Sequence, residues 1–109
     1  MIPFEKKRAR VSGGEIAYVE AGDPGSPAVL LLHGFPTSSF LWRDLAPMLA
    51  PWMRVIAPDL IGCGDSEKPV DVPLHIRAQA GYVRELLRDL GVADFAVVGH
   101  GHEIGRAHV

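Results

Sequence analysis

The apolar residues of this chain fall into short runs separated by turn residues, with one longer stripe of helical period. Ala28–Leu32 is a continuous apolar run, which is typical of a strand buried on both faces of a parallel sheet. Met53–Ala57 and Asp94–Gly99 are similar runs. Leu74–Leu90 instead repeats apolar residues at the spacing of an amphipathic helix, and Gly91 follows as its stop. The pattern predicts three core strands and a helix that precedes the last of them.

Turn and capping residues predict the remaining elements. The segments Arg8–Ser12 and Glu15–Ala21 flank two glycines that are suited to the positive φ of a tight hairpin. A helix capped by Thr37 or Ser38 is predicted to run on through Leu49. An N-terminal β-hairpin followed by strand, helix, strand, helix and strand predicts an α/β fold with βαβ crossovers and a mostly parallel sheet.

Charge and composition exclude several function classes. The 109 residues carry 11 Lys and Arg against 13 Asp and Glu, and a net charge of -2 argues against an electrostatic nucleic-acid binder. The basic cluster Glu5–Arg10 is interpreted as the solvated start of an edge strand. No apolar run approaches the roughly 20 residues of a membrane span, and no signal peptide is evident. We therefore expect one cytoplasmic domain that binds neither nucleic acid nor membrane.

The loop Asp59–Pro69 contains two glycines that predict tight turns at the rim of a site. Asp65 and Ser66 have short side chains that can satisfy loop N–H groups, and Asp59 has no evident partner for catalysis or metal binding, which favours a structural loop. The single cysteine, Cys63, excludes an internal disulfide. Its glycine-flanked position is compatible with an exposed, oxidisable thiol.

The segment His33-Gly34-Phe35-Pro36 follows the first apolar run directly. Gly34 permits a sharp turn and Pro36 fixes its exit. The Phe35 N–H then has no ladder partner and is free to point at a developing oxyanion. The alternative is an ordinary strand-to-helix turn in which His33 is a hydrogen-bonded structural residue.

The glycine-rich segment Gly99–Gly105 follows the last strand and allows several interpretations. As a nucleophile elbow, Gly101–Gly105 places Glu103 at the apex of a strained turn. As a glycine loop, Gly99–Gly105 resembles a variant of the motif that cradles the phosphates of a dinucleotide. A metal site would use a cluster of four side chains, namely His100, His102, Glu103 and His108. A frayed, polar terminus is the plain alternative.

A hydrolytic triad of this kind needs a nucleophile, an acid and a histidine in that chain order. After residue 105 the only titratable side chains are those of Arg106 and His108. We therefore expect no complete triad in these residues, and an incomplete domain over residues 1–109. Because no helix follows the last strand to cover it, self-association through that strand is also expected.

The order of these features resembles the α/β-hydrolase fold over about residues 8–102. Pro36–Arg43 and the Asp59–Lys68 loop resemble, more narrowly, the epoxide hydrolase and haloalkane dehalogenase branch. The resemblance implies a small-molecule hydrolase without a cofactor or metal. In that branch an Asp nucleophile forms an alkyl-enzyme ester, which a His-activated water hydrolyses, and ester-cleaving relatives use Ser.

The resemblance also implies site residues. Aligned without a gap, the nucleophile position is Gly101, which has no side chain, and shifted by two residues it is Glu103. Phe35 and His102 are then the expected oxyanion-hole residues, supported by His33, Gly34 and Pro36. Dehalogenases commonly carry halide-binding Asn and Trp at the positions of Phe35 and His102, so an epoxide hydrolase or general hydrolase is favoured. A non-catalytic nucleotide-binding or phosphate-binding module using Gly99–Gly105 remains the alternative.

Overall fold

The computed structural model describes residues 5–34 and 37–99, which form a five-stranded sheet with helices on both faces. The strands are β1 (Lys6–Val11), β2 (Gly14–Ala21), β3 (Ala28–Leu32), β4 (Arg54–Pro58) and β5 (Phe95–Gly99). A 3-10 turn (Ser39–Trp42) and the short helix α1 (Leu45–Leu49) precede β4, and helix α2 (Ile76–Asp89) precedes β5.

The strand order is β1-β2-β4-β3-β5. The β1–β2 hairpin joins the sheet through an antiparallel pairing of β2 with β4. β3 pairs in parallel with β4 on one side and with β5 on the other, so it is the central strand of the parallel part. The predicted hairpin and mostly parallel βαβαβ sheet are confirmed.

Alternate residues of the strands supply two separate cores, one on each face of the sheet. Leu30 and Ile56 pack with the buried stripe of α2, which includes Leu86. Leu31 and Val55 point the other way and pack with the 3-10 turn and α1. Both faces of β3 and β4 are therefore covered, which explains why their sequences are continuous apolar runs.

The structure corrects the predicted helix between residues 37 and 49. It is divided into the 3-10 turn, which Ser38 caps by accepting a hydrogen bond from the Phe40 amide, and α1. Pro47 explains the division, because in a continuous helix its ring would clash with the Arg43 carbonyl. In the first turn of α1, which begins at Leu45, the same proline is tolerated.

Three glycines refine the predicted turns. In the hairpin, Gly14 has a φ of 132° and begins β2, whereas Gly13 has no positive φ. Gly13 is required for space instead, because a Cβ there would lie 2.7 Å from the ring of Tyr82. Gly91 has a φ of 73° and ends α2 as predicted.

No helix within the described ranges has the length and apolar character needed to cross a bilayer.

Candidate active site

The candidate site lies at the carboxyl ends of β3 and β4, which are neighbours in the sheet. His33 directly follows β3, and Asp59 directly follows β4. Both side chains are fully buried. In open α/β sheets this edge is where ligands bind, because the loops that leave adjacent parallel strands meet there.

His33 connects the two loops with both ring nitrogens. Nε2 lies 2.9 Å from the backbone nitrogen of Leu60, which can only donate, so Nε2 accepts. Nδ1 lies 2.9 Å from the Gly34 carbonyl oxygen, which can only accept, so Nδ1 carries the proton. The partners thus define one neutral tautomer. Burial lowers the pKa of His33 below its usual range, and this favours the same neutral form.

The carbonyl oxygen of Gly34 is held from three directions. Besides His33 Nδ1, it accepts from the Thr37 backbone N–H at 2.9 Å and from Thr37 Oγ1 at 2.5 Å. Three donors on one carbonyl fix the direction of that peptide group. The interpretation of His33 as a hydrogen-bonded structural residue is therefore correct for its side chain, and that structural role lies in the turn predicted to bind an oxyanion.

The Asp59 carboxylate is a junction of separate chain segments. Oδ1 accepts from the Ser39 amide at 2.7 Å. Oδ2 accepts from the Asp65 amide at 2.9 Å and from Lys6 Nζ at 2.6 Å. Burial alone would raise the pKa of Asp59, but hydrogen bonds from Lys6 and from the two amides hold it below its usual range. The structural role predicted for this loop is supported, although Asp59 has partners that the sequence did not reveal.

The loop after β4 folds back onto β2. Ser66 Oγ accepts from the Ala17 amide at 2.8 Å and donates to the Asp59 carbonyl at 2.6 Å. Gly64 has a φ of 52°, and a Cβ there would lie 2.5 Å from Asp59 Cγ. Ser66 therefore satisfies an amide, as predicted for the loop's short side chains, whereas the Asp65 side chain pairs with Lys6 instead.

Gln79 of α2 holds the same loop from the opposite side. Its Oε1 accepts from the Ile61 amide at 3.1 Å, and its Nε2 donates to the Ile61 carbonyl at 2.8 Å. Gln79 is a polar residue on the otherwise apolar buried stripe of α2, but that position alone does not reveal its partner. Cys63 is not the exposed thiol that its glycine-flanked position would allow, because it is buried in the core on this side of the sheet.

Lys6 corrects the interpretation of the basic cluster as solvated. β1 is an edge strand as predicted, but the Lys6 side chain is only 17% exposed and its ammonium lies between two carboxylates. The sequence could not reveal this, because Lys6 and Asp59 are 53 positions apart. Hydrophobic periodicity carries no information on such a long-range pairing.

Several predicted site residues lie outside the described residues, namely Phe35, Pro36, Gly101, His102 and Glu103. The same holds for the glycine loop beyond Gly99 and for the predicted metal cluster that includes His100 and His108. Within residues 5–34 and 37–99, no group of three His, Cys, Asp or Glu side chains could hold a metal ion. Of the predicted site, the structure thus describes His33 and Gly34.

Comparison with known proteins identifies the family. A family model described as the alpha/beta hydrolase fold matches residues 27–101. The chain belongs to this family. The matched residues contain β3, the 3-10 turn, α1, β4, α2 and β5, together with the loops that carry His33 and Asp59.

Individual relatives narrow the resemblance. The chain is 41% identical over 97 residues to a haloalkane dehalogenase of Bradyrhizobium diazoefficiens, covering 89% of this chain and 31% of that protein. It is 47% identical over 93 residues to the soluble epoxide hydrolase of Corynebacterium sp. (strain C12), covering 85% of this chain and 32% of that protein. The crystal structure of a haloalkane dehalogenase from Bradyrhizobium elkani USDA94 superposes with a TM-score of 0.83 at 42% identity, covering 89% of this chain and 33% of that chain.

The chain therefore spans about a third of the length of these relatives. Both activities named by the sequence resemblance, dehalogenation and epoxide hydrolysis, occur among the names of the matched proteins. The chain is a dehalogenase-like and epoxide hydrolase-like member of the α/β-hydrolase family.

Proposed function

We propose that this chain supplies the first part of the sheet and the oxyanion-binding turn of a hydrolase that acts on small molecules. An epoxide is the favoured substrate class and a haloalkane the second. The identity to a soluble epoxide hydrolase supports the first class, and the identity to a haloalkane dehalogenase supports the second.

The observation that carries this proposal is the fixed Gly34 carbonyl. A peptide group is planar, so whatever orients its carbonyl also orients the amide N–H of the same group. For Gly34 that N–H belongs to Phe35, the proposed oxyanion donor. Donors that are already oriented before the reaction stabilise developing charge without paying for reorganisation. Thr37 and His33, which hold the carbonyl, are therefore the supporting residues of the turn.

His33 itself is not proposed as the general base. Both of its ring nitrogens are already bonded to backbone groups, and its side chain is fully buried. A general base must reach the proton that it removes. His33 therefore acts on the backbone of the site, and a different histidine would have to activate water in the second step.

The nucleophile position is proposed as Gly101 or Glu103, with the His102 amide as the second oxyanion donor. Gly101 has no nucleophilic atom, and Glu103 is one methylene longer than the Asp of the family. An acid and a base placed after the nucleophile, in the order that the mechanism uses, are not both among residues 1–109. We therefore propose that these 109 residues do not turn over substrate on their own.

This part of the proposal is tested by assaying the purified chain with styrene oxide, 1-bromobutane and an aryl ester. The expected result is no hydrolysis above the buffer control. Hydrolysis that Glu103→Gln abolishes would overturn it and would identify Glu103 as the nucleophile.

The role of the turn is tested by segment exchange. The matching segment of the Corynebacterium soluble epoxide hydrolase is replaced by this chain's residues 6–99, which include Lys6, and epoxide hydrolysis is measured. Retained hydrolysis supports the proposal, and a folded but inactive hybrid contradicts it. In an active hybrid, Thr37→Val is expected to lower kcat by about tenfold or more, a fraction of the loss caused by deleting an oxyanion donor. Thr37→Ser keeps the hydroxyl and is the matched control.

A further inference from the structure

Three segments that are distant in sequence meet at one buried carboxylate. Asp59 receives hydrogen bonds from Lys6 on β1, from the first amide of the 3-10 turn at Ser39, and from the Asp65 amide of its own loop. The Ser39 contact is the one that reaches the candidate site. It holds the chain two residues after Thr37, whose amide and hydroxyl bind the Gly34 carbonyl.

The burial of Asp59 means that neighbouring groups must stabilise its charge. Its side chain is 0% exposed, and a buried carboxylate without a counter-charge takes up a proton rather than remain ionised. Two backbone amides stabilise the ionised form, and Lys6 adds a full positive charge at 2.6 Å. A protonated carboxyl would offer fewer acceptor sites to these three donors.

We propose that Lys6 is a positioning residue of the candidate site. Its ammonium keeps Asp59 ionised, and the ionised carboxylate holds the Ser39 amide, two residues after the Thr37 that binds the Gly34 carbonyl. Lys6 lies outside residues 27–101, so the family match does not assign it a role. Because it acts on the turn proposed to hold an oxyanion, its importance for catalysis rests on the function proposed above. Its effect on Asp59 and Ser39 does not.

The surroundings of Asp59 contain other groups that titrate. Asp65 shares the Lys6 ammonium at 2.8 Å and is more than half exposed. His33 and Cys63 are buried close enough to interact electrostatically with Asp59. Among these groups Lys6 is the cation in direct contact with the carboxylate. Removing Lys6 should therefore raise the pKa of Asp59.

Lys7 provides a matched control. It is the next residue of the same strand, and its ammonium bonds to Glu20, 3.2 Å away, rather than to Asp59. Its side chain is 59% exposed. Lys7→Met thus removes the same charge from the same strand without touching the proposed anchor.

The experiment is a pH titration of the full chain followed by NMR, with no substrate present. The Asp59 carboxyl carbon and the amides of Ser39 and Asp65 are observed in the wild type, Lys6→Met, Lys6→Arg and Lys7→Met. In the wild type the three signals should titrate together, with a midpoint below the usual Asp range. Lys6→Met should raise that midpoint and shift the Ser39 and Thr37 amide signals at neutral pH. Lys6→Arg should restore both, and Lys7→Met should change neither.

Other results of the titration contradict the proposal. An unchanged Asp59 midpoint in Lys6→Met, or an equal shift in Lys7→Met, shows that Lys6 is not the required counter-ion. A shifted midpoint with an unchanged Ser39 amide shows that the charge does not anchor the turn. If Lys6→Met does not fold, the double variant Lys6→Met, Asp59→Asn removes cation and anion together, and it should fold. Failure of the double variant as well would overturn the proposal. Loss of hydrolysis in the hybrid enzyme, with these titrations as expected, would contradict the proposed function alone.

Discussion

The Nε2 atom of His33 accepts a hydrogen bond from the Leu60 amide at 2.9 Å, so the residue after β3 is bonded directly to the loop after β4. The contact exists only while the imidazole is neutral, because a protonated ring has no acceptor nitrogen. Two loops of the candidate site are thereby joined through a group that can titrate.

The first prediction is a pH-dependent loss of stability that is caused by His33. Burial lowers the pKa of His33 in the folded protein relative to its ordinary value of 6.5. At pH values below 6.5 the unfolded chain therefore binds more protons than the folded chain. The contribution of His33 to the free energy of unfolding is fully present above this pH, and it is lost as the pH falls from there through the lowered pKa of the folded protein. His33→Gln can still accept from Leu60 but cannot titrate, and it should flatten this dependence.

Urea unfolding of both proteins between neutral pH and about pH 5 measures the difference. The carboxylates contribute at lower pH, because the ordinary pKa of Asp59 is 3.8 and folding lowers it further. Equal pH dependence of the wild type and His33→Gln in this window would contradict the assignment.

The second prediction compares two glycines. Gly64→Ala places a Cβ in a left-handed conformation, which costs about 1–2 kcal/mol, and also forces the Asp59 carboxylate to move from a position 2.5 Å away. We expect the free energy of unfolding to fall by about 2 kcal/mol or more, with the loop around Asp59 disturbed. Gly81→Ala is the control, because its Cβ would meet nothing within 4 Å in the interior of α2.

Gly81→Ala should raise the free energy of unfolding by about 0.5–1 kcal/mol, the usual difference between the two residues inside a helix. Chemical denaturation followed by circular dichroism measures both variants under the same conditions. Gly64→Ala that is as stable as the wild type would show that Asp59 is not held where the structure places it.

The third prediction concerns the thiol. Cys63 is buried, and burial raises the pKa of its thiol, so little thiolate is formed near neutral pH. Ellman's reagent should react slowly with the native chain and rapidly once urea has unfolded it. Fast reaction of the native chain would mean that the core around Cys63 opens readily.

The fourth prediction concerns the free edge of β5. This strand pairs with β3 and, among the described strands, has no partner on its other side. Its Val97 and Val98 side chains are each 38% exposed. Unpaired apolar edges associate, so the 109-residue chain should form concentration-dependent oligomers in sedimentation velocity experiments.

Val98→Lys should reduce this association, because a charged edge resists pairing with another strand. Val70→Lys is the control, since Val70 is a fully exposed valine outside the sheet. A wild-type chain that stays monomeric at all concentrations, or an equal effect of both substitutions, would contradict a role for the β5 edge.

Local patterns predicted most of the fold, because the packing of each element is reflected in its own residues. The apolar run at Ala28–Leu32 has the bounds of β3, and the stripe Leu74–Leu90 predicts α2 within two residues at each end. The apolar spacing after Ser38 favours a continuous helix, whereas Pro47 divides it, because a proline inside the helix would clash with the carbonyl four residues before it. A single backbone clash outweighed the periodicity there.

The candidate site was less predictable, because its connections are polar and long-range. His33 and Gly34 were identified from their position after a strand. The sequence does not assign Lys6 or Gln79 to the site, since a lysine in a basic cluster and a glutamine on an apolar stripe carry no local signature of their distant partners. The donors and acceptors that meet at Asp59 become evident only once β1 lies beside β2 and β2 beside β4.

The hairpin's place in the sheet has a consequence for how this family can be recombined. β2 separates β1 from β4, yet the Lys6 side chain reaches past it to the end of β4. An exchange of gene segments at residue 27, where the family match begins, would join the loop that carries Asp59 to a foreign hairpin. Such a hybrid should fold well only if the incoming first strand brings a cation of its own to the same corner of the sheet.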